Sequence, residues 1–337
     1  MGVPWRRRRS LQICLLALAW LTLAGGCPGP PFNLPLVGVI QWDGGANSFQ
    51  ERLAGLLEGL REEGYQDGLN FKLEVVDAQR DRSRVAAAAR RWEEQGARLI
   101  ITLGVVSTLV TLEITRQGAV PIVYSMMGAP ASLGLALPAE KTDLRFTGTS
   151  DAVPPAEQLR FLVKAKPSLR HLGVLYCSVT PEGEAAAAAV DHAARAMGLA
   201  VIRRFVPDER ESGLLEILDD LFHQQIDALF IPADPVLSSP RILRCICDRA
   251  LKAGVPVMTA FQEGVRAGAL MAYHGDNEET GRQTGRQAAL LLAGFRVWTV
   301  AQETPRIKRL TLNLQVAQEL RLPLSRALLS RAYHLYP

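Results

Sequence analysis

The chain has 337 residues, 48% of them hydrophobic and 21% charged, with 38 Lys and Arg against 34 Asp and Glu for a formal net charge of +4. So small a surplus, part of it at the extreme N-terminus, excludes the broad basic face of a nucleic-acid-binding protein. The length exceeds what one hydrophobic core usually spans and predicts two lobes.

Arg6, Arg7, Arg8 and Arg9 precede an apolar stretch over 11–23, and Ala24, Gly25 and Gly26 lead into Cys27. A basic segment, a greasy segment and small residues before a cysteine read as a bacterial lipoprotein signal, although the residue three before the cysteine is Ala24 rather than the usual Leu. The apolar run is roughly 13 residues, short of the ~20 needed to cross a bilayer core. Arg8-Arg9-Ser10-Leu11 also resembles a twin-arginine export signal, while the greasy core suits ordinary secretion, and both routes stay open. Pro28-Gly29-Pro30-Pro31 can form neither helix nor central strand, so 28–33 is a tether. The expectation is an exported chain in the periplasm or cell envelope, anchored to a membrane by lipid on Cys27.

Residues 36–40 form an uninterrupted apolar run ending in the turn-like Gln41-Trp42-Asp43-Gly44-Gly45. Such runs belong to strands buried on both faces. A helical pattern over 47–63 follows, then strand 71–76, helix 82–95, strand 97–103, helix 107–116 and strand 121–124. A second series starts after Thr147-Gly148-Thr149-Ser150: helix 155–164, strand 171–176, helix 182–197, strand 200–206, helix 212–223, strand 228–232, helix 239–253, and strands 255–258 and 269–273. Helix 278–292, strand 309–312 and a short helix to 320 come last. This alternation predicts an α/β protein of two doubly wound parallel-sheet lobes. The final elements follow a completed second half, so some return to the first. The expected lobes are 34–148 with about 276–304, and 149–275 with about 305–337, joined by a multi-strand hinge crossing near Gly148, Gly275 and Thr304.

Chemistry-bearing motifs are few. Cys245 and Cys247 stand two apart on a helix and face different sides, and together with Cys177 they read as small buried residues. The histidines lack metal-helix spacing, so neither metal nor cofactor is expected. No phosphate-cradling glycine loop and no G-x-S-x-G elbow follows a strand. Gly281 and Gly285 predict a helix that approaches its neighbour closely, and Ala185 to Ala189 a helix suited to close packing.

Seven stretches carry a family resemblance: Gly64-Tyr65-Gln66-Asp67-Gly68-Leu69-Asn70, Leu99-Ile100-Ile101-Thr102-Leu103-Gly104, Val120-Pro121-Ile122-Val123-Tyr124, Ile231-Pro232-Ala233-Asp234, Gly254-Val255-Pro256-Val257, Ala267-Gly268-Ala269 and Leu312-Asn313. In this order and spacing, over about residues 34 to 325, the chain resembles substrate-binding lipoproteins of ABC transporters with the type 1 periplasmic binding fold. The resemblance is to the branch that includes tryptophan- and phenylalanine-binding members. It implies capture of a small solute between lobes, an amino acid of aromatic type among the candidates, and delivery by a monomer to an ABC permease and ATPase complex. Two loops depart from the family pattern. Gly128-Ala129-Pro130 stands where members carry Asp-Pro, and Cys177-Ser178-Val179-Thr180 replaces an Asn-Pro-like turn.

Ligands of open α/β sheets lie beyond the carboxyl ends of the strands. The loops there supply the ligand-binding candidates. Trp42 offers an indole for stacking. Ser107 and Thr108, opening a helix, offer hydroxyls and free backbone donors to an anion, or serve as plain caps. Asp234 and Glu263 offer carboxylates to an ammonium group, although an aspartate there also holds turns. Ser125 and Ser178 are further candidates, and Met126 and Met127 an adaptable apolar wall. A sensory receptor for a membrane signalling partner is the alternative function. An envelope hydrolase is a third, in which His274, at a predicted cleft-facing strand end, would be the histidine to test.

Overall fold

The computed structural model describes residues 34–128, 145–178, 181–207, 211–234 and 236–337. Cys27 with its leader, the tether, and the departures at Ala129-Pro130 and Val179-Thr180 lie outside the described residues.

The first sheet is built as expected from β1 (Leu36–Gln41), β2 (Lys72–Asp77), β3 (Leu99–Leu103) and β4 (Ile122–Met127), with a fifth strand, β5 (Phe146–Ser150), in the order β2-β1-β3-β4-β5. All neighbours are parallel. Between them run α1 (Asn47–Glu62), α2 (Arg82–Glu94) and α3 (Val105–Ile114). Side chains alternate across the sheet as the pleat requires. Ile40, Ile100 and Ile122 pack on one face with Val85 and Trp92 of α2, while Val39, Leu99 and Ile101 pack on the other with Leu56 and Leu60 of α1.

The second lobe contains α4 (Pro155–Ala165), β6 (His171–Cys177), α5 (Pro181–Ala196), β7 (Ala200–Val206), α6 (Glu211–His223), β8 (Ala228–Ile231), α7 (Pro240–Lys252), β9 (Val257–Thr259), α8 (Glu263–Arg266) and β10 (Met271–Gly275). After α9 (Asn277–Leu292) come β11 (Lys308–Asn313), α10 (Leu314–Glu319), α11 (Arg326–Leu329) and β12 (Ala332–Tyr336). The sheet order is β12-β11-β10-β9-β8-β6-β7. Cys177 and Cys247 are buried in its core, where burial, and then the charge of Asp248, pushes the Cys247 thiol up to about 12.

Three features depart from the sequence reading. β5 is a strand where a linker start was expected, because Phe146, Thr147 and Thr149 are buried against β4. β11 runs antiparallel to β10, so the second sheet is mixed. β12 closes its edge although Tyr333 and Leu335 are exposed; with only part of its surface buried, it carries no continuous apolar run to announce it.

The chain passes between the sheets after β5, between β10 and α9, and again before β11. These segments are laced together. Glu303 pairs with Thr149, and Asp276 N donates to Ile307 O at 2.9 Å. Gln287 Nε2 donates to Gly148 O and Ala301 O, while Gln283 Nε2 donates to Thr304 O. Polar residues of α9 thus satisfy backbone carbonyls along these connections.

Candidate functional site

β1 and β3 end side by side, and their loops turn toward the second lobe. Trp42 N donates to Leu103 O at 3.0 Å, which fixes the indole's root at the mouth of the sheet. Gly104 follows with φ of 112°; a Cβ there would stand 2.9 Å from Trp42 Cβ and 3.2 Å from Phe49 Cε1. Absence of a side chain at that point admits both rings. Gln79 and Arg80 adopt left-handed φ of 52° and 61°, a conformation costing roughly 1 kcal/mol or more per non-glycine residue. This turn brings Arg80 Nε to 4.0 Å from Asp43 Oδ2.

Between the lobes is a cleft of about 280 Å³. Trp42 and Phe49 line it from the first lobe and Phe261 from the second, with Val105, Val153 and Val190 adding apolar wall. Four carboxylates reach its lining: Asp43, Asp151, Asp234 and Glu263. Their roles differ. Asp43 faces Arg80. Asp234 is buried and spends its oxygens on backbone: Oδ2 accepts from Cys177 N at 2.7 Å, and Oδ1 from Val236 N at 2.9 Å and Leu237 N at 3.0 Å. The turn-holding role of Asp234 is therefore the one the geometry displays. Asp151, immediately after β5, and Glu263, opening α8, present acid to the cleft from the hinge and from the second lobe. Burial pushes the Asp151 carboxyl up, and the positive charge of Arg52 partly offsets this.

Arg52 lies one turn along α1 from Ser48 and Phe49 and is only 2% exposed. Its Nη2 donates to Asn277 Oδ1 at 2.7 Å, and Asn277 Nδ2 in turn donates to Glu51 at 2.9 Å. Nε and Nη1 have no hydrogen-bond partner among the described residues. The lobes also touch through Arg266 of α8: its Nε donates to Tyr336 Oη at 2.8 Å, and with the Asn47 amide oxygen turned toward it, its guanidinium donates to that oxygen at the start of α1.

Of the seven expected contacts, Trp42, Asp234 and Glu263 line the cleft and Ser107, Thr108, Ser125 and Ser178 do not. The placement of Ser107 and Thr108 off the cleft lining has a local cause. α3 starts at Val105, two residues earlier than expected, so both hydroxyls turn inward, where Ser107 Oγ donates to Leu103 O and Thr108 Oγ1 to Gly104 O. Ser125 is fully buried and accepts from Thr284 Oγ1 at 3.1 Å, and Ser178 is exposed. Phe49, Asp151 and Phe261, which also line the cleft, were not among the sequence candidates. Arg52, buried and not on that lining, interrupts the apolar stripe Phe49, Leu56, Leu60 of α1 with a charge.

His274 is buried away from the cleft lining, with Nδ1 2.8 Å from Gly275 O and Nε2 3.2 Å from Thr311 Oγ1. Burial lowers its pKa, opposed by the Gly275 carbonyl and by Glu263 and Asp276, and reinforced by Arg52. A folded pKa below the unfolded value of about 6.5 stabilises the fold above that pH, and the stabilisation is lost as pH falls toward the folded pKa. Each tenfold difference in proton affinity between the folded and unfolded states contributes about 1.4 kcal/mol. Urea unfolding from pH 7 to pH 5 is therefore expected to show declining stability, with a shallower decline in His274→Gln; equal slopes would contradict this assignment.

The chain matches the model of the ABC transporter substrate binding protein family over residues 37–335. It is 23% identical over 257 residues to a tyrosine-binding protein of Clostridioides difficile (strain R20291), covering 76% of this chain and 72% of that protein. Its fold is similar to an ABC domain from Streptococcus pneumonia in complex with L-Trp, with TM-score 0.79 and 20% identity over 90% of this chain and 99% of the other. It is also similar to a conserved domain protein from Vibrio cholerae, with TM-score 0.78 and 20% identity over 89% and 99% of the two chains. Two open sheets facing across a cleft, and a family match over nearly the whole described chain, agree with one another: the chain belongs to the ABC transporter substrate-binding proteins.

Proposed function

We propose that this substrate-binding protein captures an aromatic amino acid in the cleft and delivers it to its ABC permease, working outside the cytoplasmic membrane and tethered by lipid on Cys27. One observation carries the ligand class: Trp42, Phe49 and Phe261 converge on the same cleft as the carboxylates of Asp151 and Glu263. Aromatic rings stack with a planar side chain, each good pair adding about 0.5–1.5 kcal/mol beyond area burial, and two acids attract an ammonium group. The tyrosine named for one relative and the L-Trp bound in another are solutes of that description. The cleft is lined by both lobes, so a ligand bridging them favours the closed form by contacts the open form lacks. The lobes in this proposal are 34–148 with about 276–304, and 149–275 with about 305–337, and the three connections are the hinge.

Native mass spectrometry of the purified protein and a melting screen test this reading. Tyrosine, tryptophan or phenylalanine at about 100 times Kd adds about 2.7 kcal/mol, which raises Tm by roughly 5 °C. Trp42 lines the cleft whereas Trp92 is fully buried in the first core, so ligand is expected to change intrinsic fluorescence, and Trp42→Phe to remove most of that change. A panel of aromatic amino acids that moves neither Tm nor fluorescence would overturn the proposal. Mass spectrometry of the membrane-extracted chain tests the anchor: an unmodified Cys27 rules it out.

A further inference from the structure

α4 opens at the cleft and carries a glutamine on its inward stripe. Gln158 is buried in company with Leu159, Phe161, Leu162 and Ala165, only 3% exposed, and it lines the cleft. The other side chains that α4, its approach and α5 bring to the lining are apolar: Val153, Pro155, Ala186, Ala189 and Val190. Between Ala152 and Val190, Gln158 is the one polar side chain of the lining among the described residues. A polar group placed there needs a partner for each of its ends, from the fold or from a ligand.

One end has its partner. Nε2 donates to Tyr273 O at 2.8 Å, and because only the nitrogen of an amide can donate to a carbonyl, this bond fixes which way the group faces. Tyr273 is held in turn, its ring 4.6 Å from that of Phe161, one turn further along α4. Oε1 accepts from nothing among the described residues, yet it is not one of the unpartnered atoms sealed inside the protein. The carboxamide therefore turns an unused acceptor to the cleft. In β10, Ala272 stands opposite Thr259 of β9. Tyr273 follows by one residue on its strand, and the cleft-lining Ala260 and Phe261 by one and two on theirs. The anchored amide thus lies close to an aromatic residue of the site, on the side of the cleft where a solute ring stacks.

We propose that Gln158 Oε1 accepts a hydrogen bond from the ring of the captured solute, a phenol O–H or an indole N–H, and so selects aromatic amino acids that carry a ring donor over those that do not. The proposal rests on the reading that the cleft takes an aromatic amino acid, and it adds the choice among them. Solvent can satisfy Oε1 while the cleft is open. A ring without a donor displaces that solvent and leaves the acceptor unpaired, whereas a phenol or indole replaces it. A site that bonds a substrate O–H or N–H rejects the analogue lacking it more sharply than a site that measures bulk alone. The apolar side chains of the same wall offer no competing acceptor, so the discrimination falls on this one atom.

Calorimetry on the full chain with two matched pairs tests it. Tyrosine is set against 4-methylphenylalanine, which exchanges the O–H for a methyl of similar size, and tryptophan against 1-methyltryptophan, whose ring N–H is blocked. In at least one pair the donor-bearing member is expected to bind about 10-fold or more tighter. In Gln158→Met and in Gln158→Leu that advantage is expected to disappear, while the member without a donor keeps its affinity. Equal affinities within both pairs on the unaltered protein overturn the proposal without any variant. So does an advantage that survives both substitutions, with the two members weakened alike, since steric fit or a purely structural glutamine predicts that. If no aromatic amino acid binds, the reading of the cleft fails and takes this proposal with it; tight binding with equal pairs defeats the selectivity alone.

Discussion

Changing Asp151 to Asn and Glu263 to Gln together is expected to weaken binding of an aromatic amino acid at least 30-fold, and up to several thousand-fold. The range follows from about 2–5 kcal/mol for truncating one partner of a desolvated, hydrogen-bonded charge pair. Of the four acids on the cleft, Asp234 is committed to three backbone N–H groups and Asp43 to Arg80. Asp151 and Glu263 remain to meet an ammonium group. Asp151→Asn also takes a negative charge away from buried Arg52, so fold stability is expected to fall with affinity in that variant. Because burial makes that carboxyl take up a proton earlier on acidification than an exposed aspartate, affinity is expected to fall on acidification before an exposed aspartate would titrate. Calorimetric titration of the double variant and of the unaltered chain at neutral and at acid pH reads both effects. Affinity unchanged by the double substitution would show that the ammonium group lies elsewhere. Asp234→Asn strikes the loop after β8, so thermal stability is expected to fall along with affinity.

Gly281→Val is expected to destabilise the protein by about 3 kcal/mol, at the upper end of the usual overpacking range, and to lower Tm by roughly 5 °C. α1 and α9 cross along a seam in which each helix contributes two glycines. A Cβ on Gly281 would stand 2.1 Å from Arg52 O, on Gly285 2.3 Å from Leu56 O, on Gly55 1.9 Å from Glu278 O and on Gly59 2.3 Å from Arg282 O. Every obstacle is backbone, so no rotamer change can relieve it. The helices would have to part, lifting α9 from the first sheet and breaking the ion pairs at the rim, where Arg282 and Arg286 lie 3.3 and 3.4 Å from Glu62. Thermal unfolding followed by circular dichroism measures the effect. A loss below 1 kcal/mol would mean that the helices separate more easily than the backbone contacts imply.

The same seam shows how far residue pattern reaches. Gly281 and Gly285 announced a close helix approach, but their partners Gly55 and Gly59 sit in a stretch that reads as an ordinary amphipathic helix. Local pattern records that a residue is small and not what comes near it. The binding loops divide in the same way. Trp42 and Glu263 could be set at the cleft from the sequence because each follows a strand end or its loop, a relation along the chain. Asp151 was missed because Thr147 to Ser150 is too short and too polar to read as a strand, and only pairing with β4 makes β5 visible.

From residue order alone came the α/β alternation, the two halves and the family resemblance. These depend on periodicity and on turn residues, which act over a few neighbours along the chain. The tertiary structure decided which acids face the cleft, which hydroxyls turn inward, and that an arginine lies buried beside them. Such choices depend on contacts between residues far apart in sequence, as where Arg52 meets Asn277 across 225 positions, and no local pattern encodes them.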